Sequence, residues 1–144
     1  HGFDQVNNWG TSELVRLVED SSVKKFIYAS SLSVYGSSED SLNIQSTLAP
    51  KTFYGISKKN GESHVARLLE KEMSTYILRL GNVYGYSKSM RFDSVINKFM
   101  FEANFYRRLN ILGDGHQVRS FIHVNRLRYS TRSLQCGRKH VQCE

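Results

Sequence analysis

Two short apolar runs with one amphipathic helix between them constrain this chain more than any other feature. Lys25-Phe26-Ile27-Tyr28-Ala29 and Thr75-Tyr76-Ile77-Leu78-Arg79-Leu80 are strand-like stretches rich in aromatic and β-branched residues. Between them, over residues 54–71, Tyr54, Lys58, Gly61, Val65 and Leu68 recur at spacings of four and three, which puts them on one stripe of a helix. Strand, helix, strand predicts a right-handed parallel unit and hence the α/β class. The unbroken apolar character of the first run predicts a strand buried on both faces.

The remaining segments are read by the same rules. Residues 7–19 predict a helix with Trp9, Leu14, Val15, Leu17 and Val18 towards one side and a polar start at Thr11-Ser12-Glu13. Residues 37–52 form a polar loop that holds the only proline, Pro50. A further helix is predicted over 94–105, with Val95, Ile96, Phe99, Met100 and Ala103 on its apolar side. Leu109-Asn110-Ile111-Leu112 and the run 118–124 flank Gly113-Asp114-Gly115, a turn signal that predicts two strands. Residues 126–144 show neither periodicity nor turn logic and are expected to be poorly ordered.

Charge and composition exclude several classes. The net charge is +7, but residues 126–144 carry five basic side chains against Glu144 alone, so four of those seven charges belong to one short tail. The body is close to balanced, which argues against a dedicated nucleic-acid-binding protein. No apolar run approaches the roughly 20 residues of a membrane span. Cys136 and Cys143 stand seven apart, match no zinc spacing and make a poor disulfide framework, so a reducing, cytoplasmic setting is expected. The chain starts at His1 without methionine and is expected to be a piece of a longer protein.

The chemistry concentrates at Tyr54-Gly55-Ile56-Ser57-Lys58. A tyrosine and a lysine four apart on a helix stand one turn above each other, where the ammonium favours the phenolate. Tyrosine ordinarily titrates near 10, so acting near neutrality takes roughly 4 kcal/mol of electrostatic help, which a lysine and a cationic cofactor ring can supply. The pair alone is common: Tyr84 and Lys88 repeat the spacing, but they follow a strand and have no helical stripe. At the end of the first predicted strand lies Ser30-Ser31-Leu32-Ser33, at the sheet edge where open α/β folds bind ligands. Ser31 there can hydrogen-bond a substrate hydroxyl and pass its proton to a tyrosinate; equally, such serines satisfy backbone groups where a strand stops.

Taken together, Asn7-x-x-Gly10-Thr11, Phe26-Ile27-Tyr28-Ala29-Ser30-Ser31-Leu32-Ser33-Val34-Tyr35-Gly36 and Pro50-x-Thr52-x-Tyr54-Gly55-x-Ser57-Lys58-x-x-Gly61-Glu62 resemble the extended short-chain dehydrogenase/reductase family. Leu78-Arg79-Leu80-Gly81-Asn82-Val83-Tyr84-Gly85 and Gly113-Asp114-Gly115-x-Gln117-x-Arg119-Ser120-Phe121-Ile122-His123-Val124 extend the likeness over residues 7–125. Within that family the likeness is to the NAD-dependent nucleotide-sugar epimerases and dehydratases. It implies a partial Rossmann-like doubly wound parallel sheet over 1–83 and the start of a small α+β substrate domain over 84–125. It also implies Tyr54 as catalytic base, Ser31 as the catalytic hydroxyl, and Lys58 on the nicotinamide ribose, with Ser30 beside the cofactor. Ser33, Asn82 and Arg119 would contact a nucleotide-diphosphate sugar, Arg119 through its diphosphate. Asn7 and His123 are read as packing and hydrogen-bonding residues.

Departures from the family pattern refine the expectation. Sugar 4,6-dehydratases of this kind carry Asp-Glu directly after the catalytic hydroxyl; here Leu32-Ser33 stands there, which resembles UDP-sugar 4-epimerases. The expected activity is therefore epimerisation through a keto-sugar. Two alternatives stand beside it: a reductase or dehydrogenase on the same scaffold, and a non-catalytic, RNA-associated binding protein. The Gly-x-x-Gly-x-x-Gly loop that holds the dinucleotide pyrophosphate is not in this chain, so NAD is expected without NADP being excluded, and cofactor binding by this polypeptide is expected to be poor. Ser120 and Asn125-Arg126 replace acidic residues of the pattern. The family's usual homodimer would use helices near residues 10 and 60.

Overall fold

The computed structural model describes residues 2–38 and 41–133. They form two compact units, 2–80 and 81–133, which part between Leu80 and Gly81, three residues before the boundary expected after residue 83.

The first unit opens with a continuous helix, α1, over 2–19. It has an α turn at Gly2–Asp4, a π-helical stretch at Gln5–Gly10 and an α-helical run at Thr11–Glu19. The wide turn closes on Gly10, where a Cβ would lie 3.3 Å from the Gln5 carbonyl. Thr11, Val15 and Val18 form the buried stripe at helical spacing. Trp9, Leu14 and Leu17, expected on that face, stand round from it and are exposed. Strand β1, Lys25–Ser31, pairs in parallel with β2, Ser74–Leu80, from Lys25 opposite Ser74 to Ser31 opposite Leu80. Helix α2, Phe53–Ala66, crosses between them and tightens into a 3-10 turn at Arg67–Glu70. This is the parallel unit that the apolar runs predict.

Both helices cover one face of the strand pair. Val15 and Val18 of α1, Val65 of α2 and Leu68 of the following turn meet Tyr28, Met73 and Ile77 in one apolar core. Full burial of each such side chain is worth about 1.5–3 kcal/mol. β2 is buried on both faces through Thr75, Tyr76, Ile77 and Leu78. β1 is not, which corrects the expectation: Tyr28 and Ser30 are buried, whereas Ile27, at 39% exposure, and Ala29 on the opposite face are open. Apolar character over five residues does not reveal which alternate positions find a covering layer.

In the second unit β3, Asn82–Tyr84, pairs in parallel with β4, Phe121–His123, and Ile122 is buried. Helix α3, Val95–Tyr106, lies between them in sequence, and α4, Val124–Ser133, follows β4 directly. Two expectations are corrected here. Leu109–Leu112 forms no strand and no hairpin joins it to β4. Gly113 and Gly115 do adopt positive φ, but Leu112 and Val118 are 74% and 97% exposed, so no burial rewards a ladder. The segment expected to be irregular from residue 126 is helical to Ser133; its remainder, 134–144, lies outside the described residues. Among the described residues no helix is long and apolar enough to cross a membrane.

Candidate active site

Helix α2 is aimed by its first turn. The Thr52 hydroxyl caps it, accepting the Gly55 amide at 3.0 Å. Gly55 then presses on the turn that follows β1: a Cβ there would lie 2.5 Å from the Ser33 carbonyl oxygen and 3.0 Å from Pro50 Cβ. Only glycine permits that approach. Three residues on, Lys58 Nζ donates to the Ala29 carbonyl at 2.8 Å, beside the carboxyl end of β1. These two contacts set the start of α2 on the end of β1 and gather Ser31, Ser33, Tyr54 and Lys58, all half-buried, along one edge.

At this edge the Lys58 ammonium lies 5.9 Å from the centroid of the Tyr54 ring and 5.2 Å from that of Tyr28. Burial pushes its pKa below the ordinary lysine value. The Tyr54 ring meets Phe3 of α1 edge-on at 5.5 Å. The Ser31 hydroxyl donates to Ser33 Oγ at 3.1 Å and accepts the Ser33 amide at 3.2 Å, so it satisfies the backbone where the strand stops. Among the described residues, the side chains of Ser31, Tyr54 and Lys58 make no hydrogen bond to one another. The Tyr54 hydroxyl makes none to any described residue, and Lys58 spends one of its three N–H bonds. An uncommitted phenol next to an ammonium with two free donors is a donor set that fits the vicinal diol of a ribose.

Ser30 turns its side chain away from this edge. Expected beside the cofactor, its side chain points instead to the helix-covered face, where its hydroxyl donates to Glu62 Oε1 at 2.5 Å. Glu62 lies one turn beyond Lys58 on α2 and holds Arg79 of β2 bidentately, at 3.0 Å from Nε to Oε1 and 2.8 Å from Nη2 to Oε2. The side chains of this pair are 7% and 15% exposed. Arg79 Nη1 also donates to the Tyr35 hydroxyl at 2.8 Å, and the bond to Glu62 raises the Arg79 pKa. This network ties α2, the ends of β1 and β2, and the segment after Ser33 into one frame. Sequence reading assigned it no role, although one signal was present: an arginine inside an otherwise apolar, buried strand must have a partner.

Asn82 and Arg119 belong to the second unit. Asn82 donates to the Ser120 carbonyl twice, from its backbone amide at 2.9 Å and from Nδ2 at 3.2 Å. Arg119 is exposed, donates to Gln117 Oε1 at 3.0 Å, and lines a groove of about 570 Å³ with Lys98, Phe99, Asn110, Gln117 and Phe121. Tyr84 packs edge-on to Phe121 and His123, and Lys88 lies in a loop, so that spacing builds no second pair on a helix. His123 Nδ1 accepts the Asn125 amide, and Asn7 accepts from Tyr28 and donates to Ser57. Among the described residues no cluster of side chains could hold a metal ion.

The NAD dependent epimerase/dehydratase family model matches residues 3–127. Human dTDP-D-glucose 4,6-dehydratase is 35% identical over 124 residues, which are 85% of this chain and 35% of that protein. A Bacillus subtilis (strain 168) protein described as an uncharacterized UDP-glucose epimerase is 28% identical over 127 residues, 87% of this chain and 39% of its own. Among solved structures, UDP-glucuronic acid 4-epimerase from Bacillus cereus, in complex with UDP-glucuronic acid and NAD, superposes with a TM-score of 0.80 at 25% identity, over 94% of this chain and 45% of that one. The chain spans less than half the length of each. By its family match and its parallel α/β framework, this chain belongs to the NAD-dependent epimerase/dehydratase family.

Proposed function

We propose that the whole protein is an NAD-dependent 4-epimerase of a nucleotide-diphosphate sugar. One observation carries this reading: the helical pair Tyr54 and Lys58 is held over the carboxyl end of β1, where Ser31 stands, by the Lys58–Ala29 bond and the Gly55–Ser33 contact. The solved Bacillus cereus relative, with its bound UDP-glucuronic acid and NAD, supports the substrate class and the cofactor.

In this reading NAD, when bound, supplies the hydride acceptor and donor at the sugar C4. Lys58 holds the nicotinamide ribose through its two uncommitted N–H bonds. The Ser31 hydroxyl turns from Ser33 to the sugar 4-hydroxyl, takes its proton and passes its own to the Tyr54 oxygen, which enters this step as the tyrosinate; the return step runs the same relay backwards. Ser33 and Asn82 orient the sugar and nucleotide. Arg119 neutralises the diphosphate with a fork that matches its oxygens. Leu32, directly after Ser31, carries no group able to move a proton, so water elimination of the 4,6-dehydratase kind lacks its acid–base pair even though one such enzyme is 35% identical. A homodimer and a reducing, cytoplasmic setting belong to the same proposal.

Product analysis tests it. The complete enzyme, incubated with NAD and UDP-glucose or UDP-glucuronic acid, is expected to give the 4-epimer with no net NADH and no loss of water. A dehydrated sugar, or NADH formed or consumed in stoichiometric amount, would overturn the assignment.

A further inference from the structure

We propose that Tyr28 is a positioning residue for Lys58, its ring face holding the ammonium in place against the Ala29 carbonyl. Lys58 Nζ sits 5.2 Å from the centroid of the Tyr28 ring, closer than to Tyr54 at 5.9 Å, and 2.8 Å from Ala29 O. An aromatic face within about 6 Å of a cation attracts it through the ring quadrupole, and more strongly where water is excluded. Tyr28 is 8% exposed and Lys58 half-buried, so the contact is partly shielded from water.

The ring has little freedom to leave. Its hydroxyl donates to the Asn7 carbonyl of α1 at 3.3 Å. The same oxygen occupies the place a side chain at position 61 would take: a Cβ on Gly61 would lie 2.1 Å from it and 2.4 Å from the Asn7 carbonyl oxygen. Gly61 is three residues after Lys58 and therefore on the same face of α2. The phenol is thus laid along one helical turn, its oxygen anchored at Gly61 and its face presented to Lys58. A lysine ammonium on its flexible four-carbon stem is otherwise held here by a single hydrogen bond. The consequence for cofactor binding rests on the proposed role of Lys58, but the contact itself does not.

The 144-residue chain, free of cofactor and substrate, supplies the test, so a failed sugar assay and a failure of this proposal are separate results. In its proton NMR spectrum the Lys58 Hε resonances, assigned with Lys58→Met, are expected upfield of those of the other lysines, with cross-peaks to the Tyr28 ring protons. Tyr28→Phe should keep the shift, because the ring face remains; Tyr28→Leu should move it towards the other lysines. Three results would overturn the proposal: Lys58 Hε unshifted in the unmodified chain, the shift lost in Tyr28→Phe, or the shift kept in Tyr28→Leu. If the Leu variant fails to give a folded amide spectrum, the unmodified chain and Tyr28→Phe decide the matter on their own.

Discussion

Thr52 stands one residue before the helix that carries Tyr54 and Lys58, and its hydroxyl takes up one of the four amides that a helix start leaves unpaired. Thr52→Ala should cost about 1 kcal/mol in urea unfolding, and Thr52→Ser much less. Two further residues link the edge to pH. Burial raises the Tyr28 phenol above its ordinary value of 10.0, so the unfolded chain gives up this proton first and stability falls as pH rises above 10. Burial lowers Lys58 from 10.5, so the folded chain gives up that proton first and stability gains as pH approaches 10.5 from below. Urea midpoints measured across alkaline pH should therefore show a shallower decline above pH 10 in Tyr28→Phe. Lys58→Met should lose the opposing gain just below 10.5. A Tyr28→Phe profile parallel to that of the unmodified chain would contradict the assignment.

Elements differ in how openly the sequence announces them, and the reasons are physical. β1, α2 and β2 were legible because apolar runs and a four-and-three stripe state the period directly. The expectation that Ser31, Tyr54 and Lys58 act together came from the order of those elements along the chain and from the family resemblance. The π-helical turn at Gln5–Gly10 was not legible, since nothing local distinguishes a wide turn from an α turn; it comes with close packing that Gly10 and Gly61 permit. The hairpin expected at 109–124 failed for the opposite reason. Gly113 and Gly115 do turn the chain, but a turn forms no ladder unless its flanks gain burial. The Ser30–Glu62–Arg79–Tyr35 frame was hidden because only Arg79, inside an apolar strand, signals a partner, and nothing local says that the partner is Glu62. It makes a sharp prediction at this scale. Arg79→Met, which leaves the Glu62 carboxylate buried without a counter-charge and with only the Ser30 hydroxyl on it, should cost about 3–5 kcal/mol in urea unfolding. Pairing it with Glu62→Leu should recover much of that loss, because no charge is then left without its partner; additive losses would show that the two groups act independently.

At the scale of the molecule, two units divide the candidate residues. The first carries Ser31, Tyr54 and Lys58, and the second carries a groove lined by Arg119, Lys98 and Asp93. The proposed epimerisation calls on both sets of residues, since the reacting carbon must be presented to one set of groups while the diphosphate is gripped by another. Arg119→Ala in the complete enzyme should accordingly raise KM for the nucleotide sugar by about tenfold or more with a smaller change in kcat, read from initial rates. In the proposed reaction the sugar hydroxyl loses its proton to Ser31 while the Ser31 proton moves to the Tyr54 oxygen. The direct measurement is kcat of Tyr54→Phe in the complete enzyme with a UDP-sugar and NAD, beside the dissociation constant for the same sugar. Turnover is expected to fall at least about a hundredfold with affinity nearly unchanged; a variant that still epimerises at close to the original rate would contradict the account.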